Sequence, residues 1–418
     1  MKGYLMNDLI KEPNTIVEGY DFKAVEGLHF NMSDNEYFKI PALSASGLKT
    51  LQVNPSRFWW QSWMNPDKTE NETEAKILGR AFHRRILEGK YAFNKDYACD
   101  FSSDRDDLIV TSDDIKSELQ KEKSKYPDIK TTFKSKKDGV EYLKSLDPKY
   151  KHTASGMTID EIKTICLEEK NKYPDIKTTF KSKQEGIDYL CNLDKSYCER
   201  IFDKLKTEYE TTHAKKIFLS NWAMTRIEKC ARVIEYHPHL KTAFIGGYSE
   251  VTCVWYDKEL KVWCKCRYDY LKTSAINDLK TFTRMGGKEI EPYLIDQIIK
   301  YLYSIQASFY MHSMPYAKGF AKAGRVHGCD GIDQEWLDAF AVRPCEQFHF
   351  VFQQKEEVPN AYEIIYSQHH SMHDTSLVKI QIAVDNYHRY VATFGDEMWV
   401  EINKPYVLTE ADFPPWAY

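Results

Sequence analysis

Apolar residues recur at helical spacing through KILGRAFHRRILEG at 76–89. LSASGLKTL at 43–51 sets a serine cap ahead of a short apolar-periodic run that Asn54-Pro55 ends. In the middle of the chain the period shortens to two. SEVTCVWYD at 249–257, KVWCKCRYDYL at 261–271 and NDLKTFT at 277–283 predict three consecutive strands. A long helical pattern over 200–236 precedes them. Residues 291–313 follow as one helix, with Leu294, Ile298, Leu302, Ile305 and Phe309 along a single face. FHFVF at 348–352 and YEIIY at 362–366 predict two more strands, and a helix near 374–393 comes after them. This order is an α/β (α+β) arrangement around a central mixed sheet flanked by helices.

A repeat interrupts the pattern. KYPDIKTTFKSK stands at 125–136 and again at 172–183, a shift of 47 residues. TSDDIKSELQKEKS at 111–124 is answered by TIDEIKTICLEEKN at 158–171, and KDGVEYLKSLD at 137–147 by QEGIDYLCNLD at 184–194. Each copy opens on a capping pattern, Ser112 or Thr158 ahead of two acids, with Ile115 and Leu119, or Ile162 and Leu167, as inward positions. The pattern predicts two helix–extended-loop–helix units. Two copies are too few for a solenoid, so they form an insert at 105–198, and residues 1–104 and 199–418 make the main domain. The insert resembles the small helix–extended-loop–helix modules of phage and nuclease proteins, some of which touch DNA. A solvated structural or protein-contact arm is the other reading.

Charge narrows the function classes. The 418 residues carry 58 Lys+Arg against 62 Asp+Glu, a net charge of −4. Bulk charge therefore does not mark a nucleic-acid binder, and any DNA contact has to use local basic patches. No stretch approaches the roughly 20 apolar residues of a membrane helix, and the N-terminus has no signal-peptide pattern. The ten cysteines form no C-x-x-C pair, which argues against an iron–sulfur cluster or zinc ribbon and for reduced cytosolic thiols. A cytoplasmic chain without membrane contact is the expectation. Phe58, Trp59, Trp60 and Trp63 read as core rings, with a stacking platform for unpaired bases as the alternative.

The candidate chemistry lies on the middle strands. Alternation through KVWCKCRYDY puts Val262, Cys264, Cys266 and Tyr268 on one face and Lys265, Arg267 and Asp269 on the other. Asp278 and Lys280 flank Leu279 on the next strand, and a turn at 273–277 brings Asp269 and Asp278 together. Two carboxylates in one small volume repel and call for a cation, and hard oxygen donors favour Mg²⁺. Lys280 beside that ion is placed to orient or deprotonate a water and to neutralise charge on a scissile phosphate.

The D…D-x-K arrangement resembles the PD-(D/E)XK nuclease fold, and the wider pattern is similar to the RecE-type exonucleases (exodeoxyribonuclease VIII) and their phage-encoded relatives. The likeness runs through LSASGLKTLQVNPSRFWW at 43–60, LGRAFHRRILEG at 78–89, Ser249-Glu250, RYDYL at 267–271, DLKT at 278–281 and Gln306-x-x-x-Tyr310. It implies that His83, Asp269 and Asp278 bind metal together with the Leu279 carbonyl, and that Lys280 is the catalytic lysine. Glu250 would have a supporting or second-metal role. Gln306 and Tyr310 would face the site and the DNA backbone. Arg80, Arg84, Lys265 and Arg267 are candidate phosphate contacts. The chain departs from the family pattern at Tyr268, where proline is usual, at Tyr270, in the insert, and at 315–345. The resemblance further implies a Mg²⁺-dependent enzyme, with Mn²⁺ as an alternative, that degrades linear double-stranded DNA 5′ to 3′. It would act as a homo-oligomer, a tetramer or ring, and hand single strands to an annealing protein. A structure-specific endonuclease using the same site, or a silent DNA- or protein-binding adaptor acting through the repeats, are the other readings.

Overall fold

The computed structural model describes residues 20–69, 72–284, 286–402 and 406–417. It divides into two compact units: the chain to Tyr97 together with Trp222 onward, and Ala98–Asn221. The strands are β1 (Gly27–His29), β2 (Tyr97–Cys99), β3 (Ile217–Leu219), β4 (Tyr248–Asp257), β5 (Val262–Leu271), β6 (Ala275–Phe282), β7 (Val326–His327), β8 (Gln347–Gln354) and β9 (Ala361–Ser367).

The first unit is built on a seven-stranded mixed sheet in the order β7-β1-β4-β5-β6-β8-β9. β1 runs parallel to β7 and β6 parallel to β8, while the other neighbours are antiparallel. The expected alternation sets the sheet's inner face. Val251, Cys253, Trp255, Cys264, Cys266 and Tyr268 enter one core with Phe309 and Met314 of the helix Tyr303–Lys322. A second cluster on the other side holds Leu87, Ile234, Leu240, Tyr270, Leu279 and Val351. Tyr268 and Tyr270, two residues apart, thus belong to different clusters, so the alternation breaks around Asp269.

Two helices differ from the sequence expectation. The stretch 200–236 is not continuous: a helix Phe202–Thr212 ends at His213, Ile217–Leu219 becomes β3, and a second helix runs Asn221–Tyr236. The β-branched and aromatic pair Ile217-Phe218 favours the extended form over one more helical turn. Residues 291–313 likewise divide into Ile290–Lys300 and Tyr303–Lys322. Leu302 between them has φ 52°, a left-handed conformation that no helix interior tolerates, so the chain changes direction there. β1 and β7 are too short to leave a period in the sequence. Ser44 and Asn54 cap consecutive helices, Ala45–Val53 and Pro55–Gln61, with Pro55 opening the second where a missing N–H does no harm. Phe58 and Trp59 are buried and Trp63 lies against the same core, while Trp60 is exposed.

The second unit takes in residues on both sides of the repeat, down to Ala98 and up to Asn221. Its helices are Ser112–Ser124, Lys136–Leu146, Ile159–Lys170 and Lys183–Leu193. The first cap is Thr111 and not Ser112, and Thr111 and Thr158 each close a capping box with an acid three residues on. Cys166, and not Leu167, is the inward partner of Leu119's position, and Leu167 is half exposed. The copies exchange helices. Ile115 and Leu119 of copy one pack with Ile176, Ile187 and Leu190 of copy two, and Ile162 and Cys166 of copy two pack with Ile129 and Leu143 of copy one. Gly186 and Gly139 make the crossings close: a Cβ there would lie 3.1 Å from Ile115 and 3.3 Å from Ile162 respectively. Contrary to the expectation of thiols throughout, Cys191 and Cys198 are joined by a disulfide, because the turn after Leu193 brings their Cα atoms to 5.3 Å.

Candidate active site

β5 and β6 are hydrogen-bonded only at Tyr270–Asn277 and Leu271–Ile276. Beyond those pairs β6 follows β8 for its whole length, and the two strands part. Asp269 and Asp278 stand just inside this fork. The Leu279 N–H donates to Asp269 Oδ2 at 2.8 Å, which ties the two arms together at the acids.

Three donors converge on the Asp269 arm. His83, Glu250 and Asp269 each offer a ligand atom within 4.8 Å of the other two. His83 comes from the helix Glu74–Leu87, with Nδ1 3.7 Å from Asp269 Oδ2. That helix is anchored by buried Arg85, whose Nε and Nη2 meet both oxygens of Glu228 at 2.8 and 3.0 Å and whose Nη1 meets Glu235 at 2.9 Å. Glu250 lies opposite Asp269 in the β4–β5 register, between the pairs Ser249–Tyr270 and Val251–Tyr268. Its φ of 53° is strained for a residue bearing a Cβ, a conformation that persists only where the surroundings impose it. Burial, then Asp269, pushes the Glu250 carboxyl up to about 8 against the pull of Arg267, whose Nε is 3.9 Å away. A site that charges its carboxylates this reluctantly, with a histidine at the same point, fits a divalent cation held by mixed oxygen and nitrogen donors.

The Asp278 arm is arranged differently. Asp278 is fully buried, Gln306 Nε2 donates to its Oδ1 at 2.7 Å, and Oδ2 lies against the Lys280 ammonium in an ion pair. Burial, then Asp269, raises the Asp278 carboxyl to about 7, with Lys280 opposing. Burial alone would lower the Lys280 ammonium, but Asp278 and Asp269 outweigh it and hold the amine above its ordinary value. Of the expected ligands the structure brings His83 and Asp269 together, with Glu250 as the third donor, and it sets Asp278 against Lys280.

A second lysine that the sequence reading missed stands here. Lys49 Nζ is 5.0 Å from the ring centroid of Tyr303, and Lys280 Nζ is 5.0 Å from the same ring. Burial, then Lys280, depresses the Lys49 amine to about 7, with Asp278 pulling the other way. Its sequence signal was weak, one lysine in an amphipathic helix. Beyond Lys280, Thr281, Thr283, Tyr293, Lys300, Tyr301 and Lys355 help line a cavity of about 330 Å³.

Other expected site residues have their donors engaged within the fold. Lys265 is buried, and its ammonium donates to the carbonyls of Tyr37 and Ile40 at 2.8 and 2.7 Å. Arg267 donates to Thr252, Asp34, Met32 and Ser33. Both stack on Tyr37 and fasten the segment 32–40 to the sheet, so their donors are already used internally. Arg80 pairs with Glu72, and Arg84 with Glu88 and Asp96. Tyr310 sits in the core against Tyr268 and Phe348, with only its helix neighbour Gln306 reaching the acids.

Residues 174–322 match the model of a family described as a PDDEXK-like domain of unknown function. The match supports the PD-(D/E)XK nuclease superfamily. It spans β4 to β6 and both following helices, and so includes Glu250, Asp269, Asp278, Lys280 and Gln306, while His83 and Lys49 lie outside it. No curated protein matches the chain. The mixed sheet flanked by helices is the architecture of a PDDEXK-like core. Among the described residues no helix is long and apolar enough to cross a membrane.

Proposed function

We propose that the chain is a divalent-metal-dependent deoxyribonuclease that degrades linear double-stranded DNA from its ends, 5′ to 3′, and yields single strands for an annealing partner. The observation that carries the reading is the convergence of His83, Glu250 and Asp269 beside the Asp278–Lys280 pair at the mouth of a strand fork. Mg²⁺, with Mn²⁺ as an alternative, held by the three donors would supply Lewis-acid polarisation of a phosphoryl oxygen.

The residues divide the remaining work. Lys280, kept protonated by Asp278, donates positive charge and hydrogen bonds to the phosphate and is unsuited to accept a proton. Lys49, with an amine near neutrality, is matched to accept one from the attacking water. Gln306 fixes the Asp278 carboxylate and so the direction of Lys280. A homo-oligomer enclosing the duplex would explain processive action by a chain of net charge −4.

The test uses linear duplexes labelled at the 5′ or the 3′ end, with Mg²⁺ or EDTA, for the native chain and Lys280→Ala. Release of the 5′ label as mononucleotides, abolished by EDTA and by the substitution, supports the reading. Nicking of covalently closed circles would move it to an endonuclease, and absence of cleavage in any metal would refute hydrolysis.

A further inference from the structure

The two KYPDIKTTFKSK connectors are identical over twelve residues, although the helices they join have drifted apart. Lys121 in the first helix is answered by Glu168 in the second copy, a reversal of charge, and Lys144 by Cys191. Packing accounts for only part of the connector identity. Ile129 and Ile176 are buried, Phe133 and Phe180 are half-buried, and Tyr142 and Tyr189 receive the N–H of Lys130 or Lys177 at 2.9 and 3.2 Å. Lys130, Lys134, Lys177 and Lys181 are exposed.

Their charge is uncompensated. Several helix lysines of the same unit are paired with acids three residues earlier: Lys116 with Asp113, Lys121 with Glu118, Lys163 with Asp160. Lys125 and Lys172, where the connectors begin, do the same with Glu122 and Glu169. Among the described residues no ion pair engages Lys130, Lys134, Lys177 or Lys181, and Lys130 leans over the Tyr142 ring. Like charges kept unpaired and identical on exposed loops disfavour the unit's own stability and suit a polyanion.

Geometry selects the polyanion. The helix exchange relates the copies by an approximate two-fold operation, since each contact of copy one with copy two has its mirror in copy two with copy one. Tyr126 and Tyr173, at matching positions of the two connectors, meet with ring centroids 6.1 Å apart, so the connectors start side by side. Duplex DNA presents its two phosphate strands about local two-folds of its own, whereas a single strand has none.

We infer that the paired connectors form a sequence-independent binding surface for the phosphate backbones of duplex DNA, separate from the hydrolytic site and needing no DNA end. The inference goes beyond the nuclease reading and does not depend on cleavage. Binding of covalently closed duplex to the full chain is measured in EDTA for the native protein and for the variant carrying Lys130→Ala, Lys134→Ala, Lys177→Ala and Lys181→Ala. Affinity is expected to fall by a factor of about 10 or more, and the slope of log K against log salt to flatten by about 0.9 for each lysine that meets a phosphate. Substituting either copy's pair alone should give about half the change in slope. A control removing the ion-paired Lys116, Lys121, Lys149 and Lys163 takes away equal charge and should alter binding little. An unchanged slope in the quadruple variant, an equal loss in the control, an effect confined to one copy, or tighter binding of single-stranded DNA would overturn the inference. Failure of hydrolysis with these binding differences intact would count against the nuclease reading alone.

Discussion

Replacing Glu250 with glutamine should make the metal-free protein more stable at pH 8 and scarcely change it at pH 5. Glu250 and Asp269 present ligand atoms within 4.8 Å of each other and of His83. Two full negative charges at that distance, in an effective dielectric of 20, repel by about 3.5 kcal/mol. Arg267 attracts Glu250 from 3.9 Å by a comparable amount, so the net gain on neutralisation, roughly 1–3 kcal/mol, comes from the burial that disfavours the charged carboxyl. For a chain of 418 residues that corresponds to a rise in Tm of about 1–3 °C. The sign follows from linkage. The Glu250 and Asp278 carboxyls lie at about 8 and about 7 in the fold, above their unfolded values. The folded state therefore holds protons that the unfolded chain releases, and stability present below pH 4 is lost as pH rises through 8. Thermal melting in EDTA from pH 5 to 8 reads this directly. Adding Mg²⁺ or Mn²⁺ should recover the lost stability at pH 8 in the native protein and recover less in the variant. A Tm that falls on Glu250→Gln at pH 8, or rises equally at both pH values, would refute the argument that burial and the facing Asp269 outweigh Arg267 and disfavour the charged form of Glu250.

Lys280→Ala should reduce kcat on linear duplex by about a thousandfold with DNA affinity retained, the pattern of a group acting in the transition state; equal losses in affinity and rate would count against that role. The native kcat should rise with pH through a limb near 7, since Lys49 accepts a proton only when neutral, and Lys49→Met should remove the limb as well as lower the rate. A limb that persists in the variant would dismiss Lys49 as the acceptor. Arg85→Met should cost about 2–4 kcal/mol in denaturant unfolding, because Glu228 and Glu235 lose a buried partner, and should weaken metal binding through displacement of His83. Gly186→Val should loosen the Ala98–Asn221 unit by about 1–3 kcal/mol through overpacking against Ile115, seen as earlier proteolysis there with metal binding in the first unit intact.

The sheet was legible because alternation is local. β4, β5, β8 and β9 were each written in a few residues, and the unusual polar run Lys265, Arg267, Asp269 marked the strand that reaches the site. What two of those residues do was not legible. Lys265 and Arg267 donate to the segment 32–40, which no periodicity could bring to their side of the sheet. Glu250 came into view only through the family likeness, because its left-handed backbone, at the position across from Asp269, leaves no trace in residue type. The break at Leu302 was hidden for the same reason: leucine is a good helix former, and only the packing of the two flanking helices compels the turn. The repeat was plain in the sequence, but which helix pairs with which is a tertiary choice between two equally hydrophobic partners.

That choice bears on how the inserted unit could have arisen and how it must fold. Ile115 finds its counterpart at Gly186, across the whole of both copies, so neither copy possesses a core until the other has been synthesised. The inner pair, Lys136–Leu146 with Ile159–Lys170, meets as neighbouring helices, whereas the outer pair must close a loop across both copies, so it should form last. A chain shortened to one copy would expose Ile162 or Ile115 to water and could restore the native pairing only against the second helix of another molecule. Such a truncation should therefore dimerise through the insert. The duplicated sequence is then, in effect, a two-chain assembly written into one polypeptide.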